Sequence, residues 1–280
     1  MIGIVVDSNS QMSDELVRRY GIVVVPLTVT VDGTDHLEGV DLDADAFYGH
    51  WTDGNAPEVA TSQPSPGRFL EAYRRLVDDG ATEILSIHIT AAMSGTLNSA
   101  RLAADQVDVP VELVDTGTAS FGISCCAWAA AEAVADGATL REAADVARRR
   151  SEALHTSFVV GVPALMERSG RAAGAGIGSA SDDGVQVVAM TGSEISVLAT
   201  VADLDAAVGA IVDDTLAWSP SSPDGLRVAI GTSDESSAPM SNALDDALSG
   251  HDLVHEVVRY RIGPSVGAHT GPGTSGLFVF

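Results

Sequence analysis

Residues 84–116 read ILSIHITAAMSGTLNSARLAADQVDVPVELVDT. The apolar run Ile84–Ile89 predicts a strand. Ser94 then opens a helix to about Gln106, and a second apolar run, Val111–Val114, ends in Asp115-Thr116. Two strands joined by a helix of this length imply a parallel sheet flanked by helices. The same alternation extends outward. Ile2–Val6 is an apolar run ending in Asp7-Ser8, Asp14–Tyr20 is helical, and Ile22–Val31 is β-rich but interrupted by Pro26. Ser65–Val77 fits a helix with Ser65 as N-cap and Pro66 in its first turn. Ala119–Ala135 and Leu140–Ala153 are helical.

The second half has a different rhythm. Ser157–Val160 reads as a strand, Pro163–Arg168 as a short helix, and 170–181 as a Gly/Ala/Ser stretch. Val185–Met190 and Ile195–Val201, separated by Thr191-Gly192-Ser193, predict a hairpin. A helix over Asp203–Trp218 and a Ser/Pro-rich loop over 219–225 follow. Leu226–Gly231, Ser236–Leu248 and Leu253–Arg259 form a β-α-β unit, and Ser275–Phe280 closes as an apolar strand. The expected fold is two-domain α/β. The N-terminal domain (1–155) carries a mostly parallel sheet, and the C-terminal domain (156–280) a mixed α/β sheet.

The 280 residues are 45% apolar, enough for two ordinary cores. Fifteen basic residues, all arginine, face 39 acidic ones, for a formal charge of −24. A shell this acidic repels nucleic acid backbones and anionic membranes. The absence of lysine excludes Schiff-base chemistry and a P-loop. The longest uncharged apolar candidate, Thr116–Ala131, is too short to span a bilayer. The N-terminus MIGIVVDSNS has no basic region and an acid at position seven, so no secretory signal is expected. Cys125 and Cys126 are adjacent and offer no disulfide framework. These features predict a cytoplasmic protein without stable membrane insertion.

In open parallel sheets, ligands bind at the carboxyl ends of the strands. Four polar clusters are expected there: 7–10 (DSNS), 61–67 (TSQPSPG), 94–96 (SGT) and 115–118 (DTGT). A fifth, 267–274 (GAHTGPGT), lies near the C-terminus in a loop expected to need unusual backbone angles. Hydroxyls and free N–H groups before helices make neutral anion sites. Taken singly, Ser65 and Ser94 read equally well as helix caps, Asp7 and Asp115 as Asx turns, and His88 as a structural histidine. His269 and Arg171 are the other candidates for an anion site, Arg171 because its charge is fixed. A Ser94/His269/Asp115 triad is arithmetically available, but Ser94 lacks a nucleophile elbow. No metal-ligand spacing and no phosphate-loop motif is present. The segment 174–178 (GAGIG) has the wrong spacing for a dinucleotide loop.

These clusters, in this order, resemble the DegV family of bacterial fatty-acid-binding proteins. The matching residues are Val5-Val6-Asp7-Ser8, Val24-Val25-Pro26-Leu27, the TSQPSPG block, Ser86-Ile87-His88-Ile89 with Ser94-Gly95-Thr96, Val114-Asp115-Thr116, and 262–273 (IGPSVGAHTGPG). The resemblance spans nearly the whole chain. It implies a non-enzymatic carrier that holds a long-chain fatty acid in a cleft between its two domains, with no other cofactor and no metal. It also implies a partner: an ATP-dependent fatty acid kinase subunit similar to dihydroxyacetone kinases, to which the carboxyl group is presented for acyl-phosphate formation. Carried over, Thr61, Ser62, Ser94, Gly95 and Thr96 would cradle the carboxylate, with His269 beside it. Arg171 would serve phosphate transfer or partner docking. Ala-rich helices such as Ser94–Ala104 and Phe121–Ala133 would suit a lipid tunnel. Two alternatives stand beside this reading: a Ser/His hydrolase or acyltransferase, and a binder of another small anion. The chain departs from the family after Arg171. Ser169 replaces the first glycine of a Gly-Gly-Arg turn, the basic Lys-Pro segment is replaced by 173–183 (AGAGIGSASDD), and Ala199-Thr200-Val201 lacks an expected basic residue. These departures bear on partner docking and phosphoryl transfer.

Overall fold

A computed structural model describes residues 1–52, 56–177, 184–218 and 225–280. The chain divides into two units: residues 1–41 with 58–152, and residues 42–57 with 153–280.

In the first unit, β1 (Ile2–Asp7), α1 (Asp14–Tyr20), β2 (Val23–Val25), β3 (Thr28–Val31) and β4 (Thr34–Leu37) lead the chain. α2 (Ala44–Tyr48) belongs to the second unit. The first unit resumes with β5 (Val59–Ser62), α3 (Pro66–Asp78), β6 (Glu83–His88), α4 (Thr96–Ala104), β7 (Val111–Asp115), α5 (Phe121–Ala135) and α6 (Leu140–Glu152). The main sheet runs β2-β1-β6-β7 with every pairing parallel. β1 and β6 are central and covered on both faces, which is why they read as unbroken apolar runs. α3 turns Phe69, Ala72, Tyr73 and Leu76 inward at helical spacing, where they pack with Ala100 and Ala103 of α4 against Val5 and Ile84. Helix α5 is buried over most of its surface, and α6 meets it with the small side chains Ala143, Ala144 and Ala147.

One expectation fails here for a local reason. Ile22–Val31 is not one strand. It splits at Pro26, so that β2 joins the parallel sheet while β3 pairs antiparallel with β4 and β5. Proline cannot donate to a ladder, and the chain changes sheets there. The β3–β4 turn uses Asp32 (φ 47°) and Gly33 (φ 80°), the positive-φ pair that Asp-Gly favours. Thr61 and Ser62 therefore end an antiparallel strand, not a parallel one.

The second unit contains α2, β8 (His155–Val159), α7 (Pro163–Ser169), β9 (Val185–Thr191), β10 (Glu194–Val201), α8 (Leu204–Ala217), β11 (Leu226–Thr232), α9 (Ala238–Leu248), β12 (Val254–Arg261), α10 (Pro264–Thr270) and β13 (Ser275–Val279). Its sheet runs β10-β9-β8-β13-β11-β12. Only the β11–β12 pair is parallel, joined through α9, so the sheet is mixed. One face packs Val159, Val187, Ile230 and Leu277 against Ala207 and Ile211 of α8 and Leu244 of α9. The other carries Val160 and Val188 against Met166 of α7 and Ile177.

The block expected as a glycine-rich loop is instead helix α10, begun by Pro264 in its first turn. Only Gly271 (φ 74°) and Gly273 (φ 81°), beyond its end, take positive φ. Gly267 is needed for closeness: a Cβ there would lie 2.5 Å from the Tyr48 hydroxyl oxygen and 2.7 Å from a Phe47 ring carbon, so α2 can rest on α10. The loop expected over 219–225 falls, except for Gly225, outside the described residues, as do 178–181 of the small-residue stretch. Among the described residues, no helix is long and apolar enough to cross a membrane.

Candidate ligand-binding site

At the carboxyl ends of β1 and β6 two loops are tied to one buried carboxylate. Asp7 Oδ1 accepts the Asn9 N–H at 3.1 Å, Oδ2 accepts the Ile89 N–H at 3.0 Å, and His88 Nδ1 lies 3.0 Å from Oδ2. Three donors suit a carboxylate, which only accepts, so the ring proton belongs on Nδ1. His88 Nε2 is then free to accept from Ser86 Oγ at 2.6 Å, and Ser86 Oγ lies 2.8 Å from the Tyr73 hydroxyl. Burial pushes the Tyr73 phenol up to about 12, against a smaller opposing pull from Ser86. Asp7 and His88 are fully buried. In the sequence, Asp7 reads as a turn cap and His88 as a structural histidine. Asp7 does cap its turn, but 81 residues of separation concealed the pair.

The loops are cross-tied by their own polar groups. Asn9 Oδ1 accepts the Ser120 N–H at 2.8 Å, holding Ser120 at φ 56°, ψ −147°, a conformation ordinarily left to glycine. Ser124 Oγ donates to Ser10 O at 2.7 Å, and Thr116 Oγ1 to His88 O at 2.8 Å. Asp115 accepts from Ala91 N–H at 3.2 Å and Gly117 N–H at 3.0 Å, so it caps turns as the Asx reading expects.

On this base the Ser94-Gly95-Thr96 turn opens α4. Ser94 is not the N-cap; Gly95 is. Ser94 N–H donates to Thr90 O at 3.2 Å, and Ser94 Oγ accepts the Thr96 N–H at 3.3 Å while lying 2.8 Å from Thr96 Oγ1. A Cβ on Gly95 would sit 3.0 Å from Gln63 Nε2, so the Gln63 amide lies against the Gly95 backbone. That brings the TSQPSPG and SGT blocks together. Within the TSQPSPG block, Gln63 carries no sequence signal of its own. Thr61 and Ser62 are paired with Val29 and Thr28 on β3, Ser62 exposed and Thr61 half-buried. Ser65 caps α3 through a 3.4 Å bond from Arg68 N–H, as expected.

In the second unit Arg171 and His269 come together. α7 ends on Gly170 (φ 71°), and Arg171 Nη1 reaches 3.0 Å from His269 Nδ1. A guanidinium only donates, so Nδ1 is the acceptor and the neutral ring carries its proton on Nε2. Burial, with the Arg171 charge adding to it, pushes His269 down to about 3, and burial lowers Arg171 as well. A neutral imidazole N–H beside guanidinium donors suits an oxyanion. The turn after α10 is fixed by Asp234. Its Oδ1 accepts the Gly273 N–H at 2.8 Å. Burial raises this carboxyl, but hydrogen bonds from Gly273, Ser233 and Ser236 outweigh it and hold it below its usual range. Asp234 carried no sequence signal beyond an acid after a strand.

The triad reading gains nothing from this geometry. Ser94 bonds to Thr96, Asp115 to backbone, and His269 to Arg171. A Ser–His–Asp series does exist at Ser86, His88 and Asp7, but all three are sealed from solvent, so no substrate reaches it. Among the described residues, no group of three or more His, Cys, Asp or Glu could hold a metal ion.

Comparison with known proteins follows the same direction. The family model described as "Uncharacterised protein, DegV family" matches residues 1–280. A DegV domain-containing protein of Streptomyces coelicolor is 32% identical over 99% of this chain and 98% of its own. A structure described as fatty acid binding of a DegV family protein from Thermus thermophilus superposes with a TM-score of 0.90 at 28% identity, covering 100% of this chain and 99% of that one. A Thermotoga maritima protein whose structure is described as revealing fatty acid binding function gives 0.84 at 25% identity, over 99% and 98%.

Proposed function

We propose, since this chain belongs to the DegV family, that it binds one long-chain fatty acid and presents its carboxyl group to a partner kinase. The carboxylate is cradled by Thr61, Ser62, Ser94, Gly95 and Thr96, with His269 contributing its Nε2–H. The observation that carries this reading is the Gln63 amide lying against Gly95. It joins two hydroxyl-rich blocks, and hydroxyl and N–H donors are what a charged carboxylate requires when it leaves water. The buried acyl chain contributes about 0.8 kcal/mol per CH₂. The fatty acid of the Thermus thermophilus relative supports the choice of ligand.

In the second step the partner supplies ATP. A carboxylate oxygen attacks the γ-phosphorus, the bond to the β-phosphate bridging oxygen breaks, and acyl phosphate and ADP result. Arg171, whose guanidinium donates to His269, serves that transfer or the docking of the kinase. The carrier itself performs no chemistry.

Native mass spectrometry of the purified protein, followed by solvent extraction, tests the first step. The expected result is one fatty-acid-mass adduct per chain. Thr61→Val and Ser94→Ala each weaken oleate binding by about tenfold, the worth of a charge-assisted hydrogen bond. Arg171→Ala leaves oleate binding intact and impairs coupling to a kinase. A protein that emerges bare and takes up neither oleate nor palmitate refutes the lipid reading. Full oleate affinity in both hydroxyl variants removes the cradle.

A further inference from the structure

We infer that the second unit holds a closed hydration site between β8 and α8, in which an internal water molecule bridges His155, Ser157 and Thr215. The site is separate from the proposed lipid contacts and does not depend on that reading.

Three polar atoms mark it: His155 Nδ1, Ser157 Oγ and Thr215 Oγ1 are each shut off from solvent with no hydrogen-bond partner among the described residues. The fold places them together. His155, Ser157 and Val159 alternate along β8 and so share one face. Val159 packs in the core with Ala207 and Ile211 of α8, and Thr215 continues that buried stripe one turn further. The end of α8 is pinned to the start of β8, because His155 Nε2 lies 2.6 Å from Asp214 Oδ2. Thr215, next to Asp214 and on the buried stripe, is thereby brought to the Ser157–His155 end of the strand. Trp218 stacks on the His155 ring at 4.5 Å between centroids and 13° between planes, closing that end. On the sheet side, Ser157 lies between Ala189 and Leu277 in the neighbouring strands, whose backbones are already used in the ladders.

The chemistry of the three atoms selects the occupant. With Asp214 accepting from Nε2–H, a neutral His155 presents Nδ1 as an acceptor. Each hydroxyl carries one donor and spare lone pairs. A water molecule offers two donors and two acceptors and needs two to four polar partners, which this set provides. An anion is disfavoured by the Asp214 carboxylate beside the ring, and a metal ion by the lack of a third ligand of suitable type among the described residues. Buried polar atoms are otherwise almost always paired, so three orphans on one face need a shared partner.

The test is thermal unfolding of the full chain with Ser157→Ala and Thr215→Val, singly and together. Both substitutions nearly conserve shape. With a bridging water, each single change strips the water of a partner and lowers Tm by about 2–5 °C for a unit of this size. The double change then costs less than the sum, because both report on one molecule. A Tm that stays level or rises overturns the inference, since removing a dry, unpaired hydroxyl relieves a penalty. Losses that simply add overturn it as well. A high-resolution crystal structure gives a second reading. A solvent peak within hydrogen-bond distance of at least two of the three atoms is expected, and an empty or apolar-filled space refutes it.

Discussion

His88 in the first unit and His155 in the second are both buried beside an aspartate, at 3.0 Å from Asp7 and 2.6 Å from Asp214. Their surroundings differ. His88 has both ring nitrogens matched, and its aspartate also takes two backbone N–H groups. His155 has one nitrogen without a partner among the described residues. The cause is position. His88 sits where three loops meet, and loop backbone has N–H groups to give. His155 faces the last turns of a helix whose N–H groups are already used within it. A buried histidine at a loop junction is finished by backbone; one against a helix must find its second partner elsewhere.

The largest effect that could break this contrast is loss of the aspartates. Asp7→Ala leaves three buried donors unmet and should cost about 3–5 kcal/mol in urea unfolding of the full chain. Asp214→Ala should cost less, about 1–3 kcal/mol, since fewer bonds hang on it. The reverse order would mean that the junction is not what anchors Asp7.

A third histidine sharpens the comparison by facing a cation. His269 sits at about 3 in the folded chain, against 6.5 when free. As pH falls, the unfolded chain takes up the proton first, so folding loses stability. The contribution is constant above pH 6.5 and is lost between pH 6.5 and 3. The slope is at most about 1.4 kcal/mol per pH unit. His269→Gln should flatten the acid limb of stability measured against pH. An unchanged acid limb would show that His269 takes up its proton in the folded chain as readily as in the unfolded one. The smallest effect belongs to Tyr73→Phe, at the outer end of the His88 chain of hydrogen bonds. It should cost about 1 kcal/mol. A loss matching that of Asp7→Ala would mean that the chain, not the carboxylate, holds the junction.

The parallel sheet was legible because β1, β6 and β7 are apolar runs closed by polar clusters. The small antiparallel sheet was not. Ile22–Val31 looks continuous by composition, although Pro26 and the Asp32-Gly33 pair were the signals that divide it. Helix α10 was hidden because Gly267, Gly271 and Gly273 dominate a short segment, and Gly267 answers to ring packing rather than to turn geometry. The hydroxyl blocks of the candidate site stood out in the sequence. What lay beneath them did not: Asp7 with His88, Asn9 with Ser120, and Gln63 with Gly95 are partners that only the folded chain brings together.

The seat of Phe47 and Tyr48 on Gly267 also bears on how the chain is made. A ribosome delivers α2 long before α10 exists. At ordinary elongation rates the interval is roughly ten to forty seconds. For that time two aromatic side chains destined for a buried place have no seat, and the second unit cannot close from its C-terminal residues alone. Helix α10 completes a surface that α2 began.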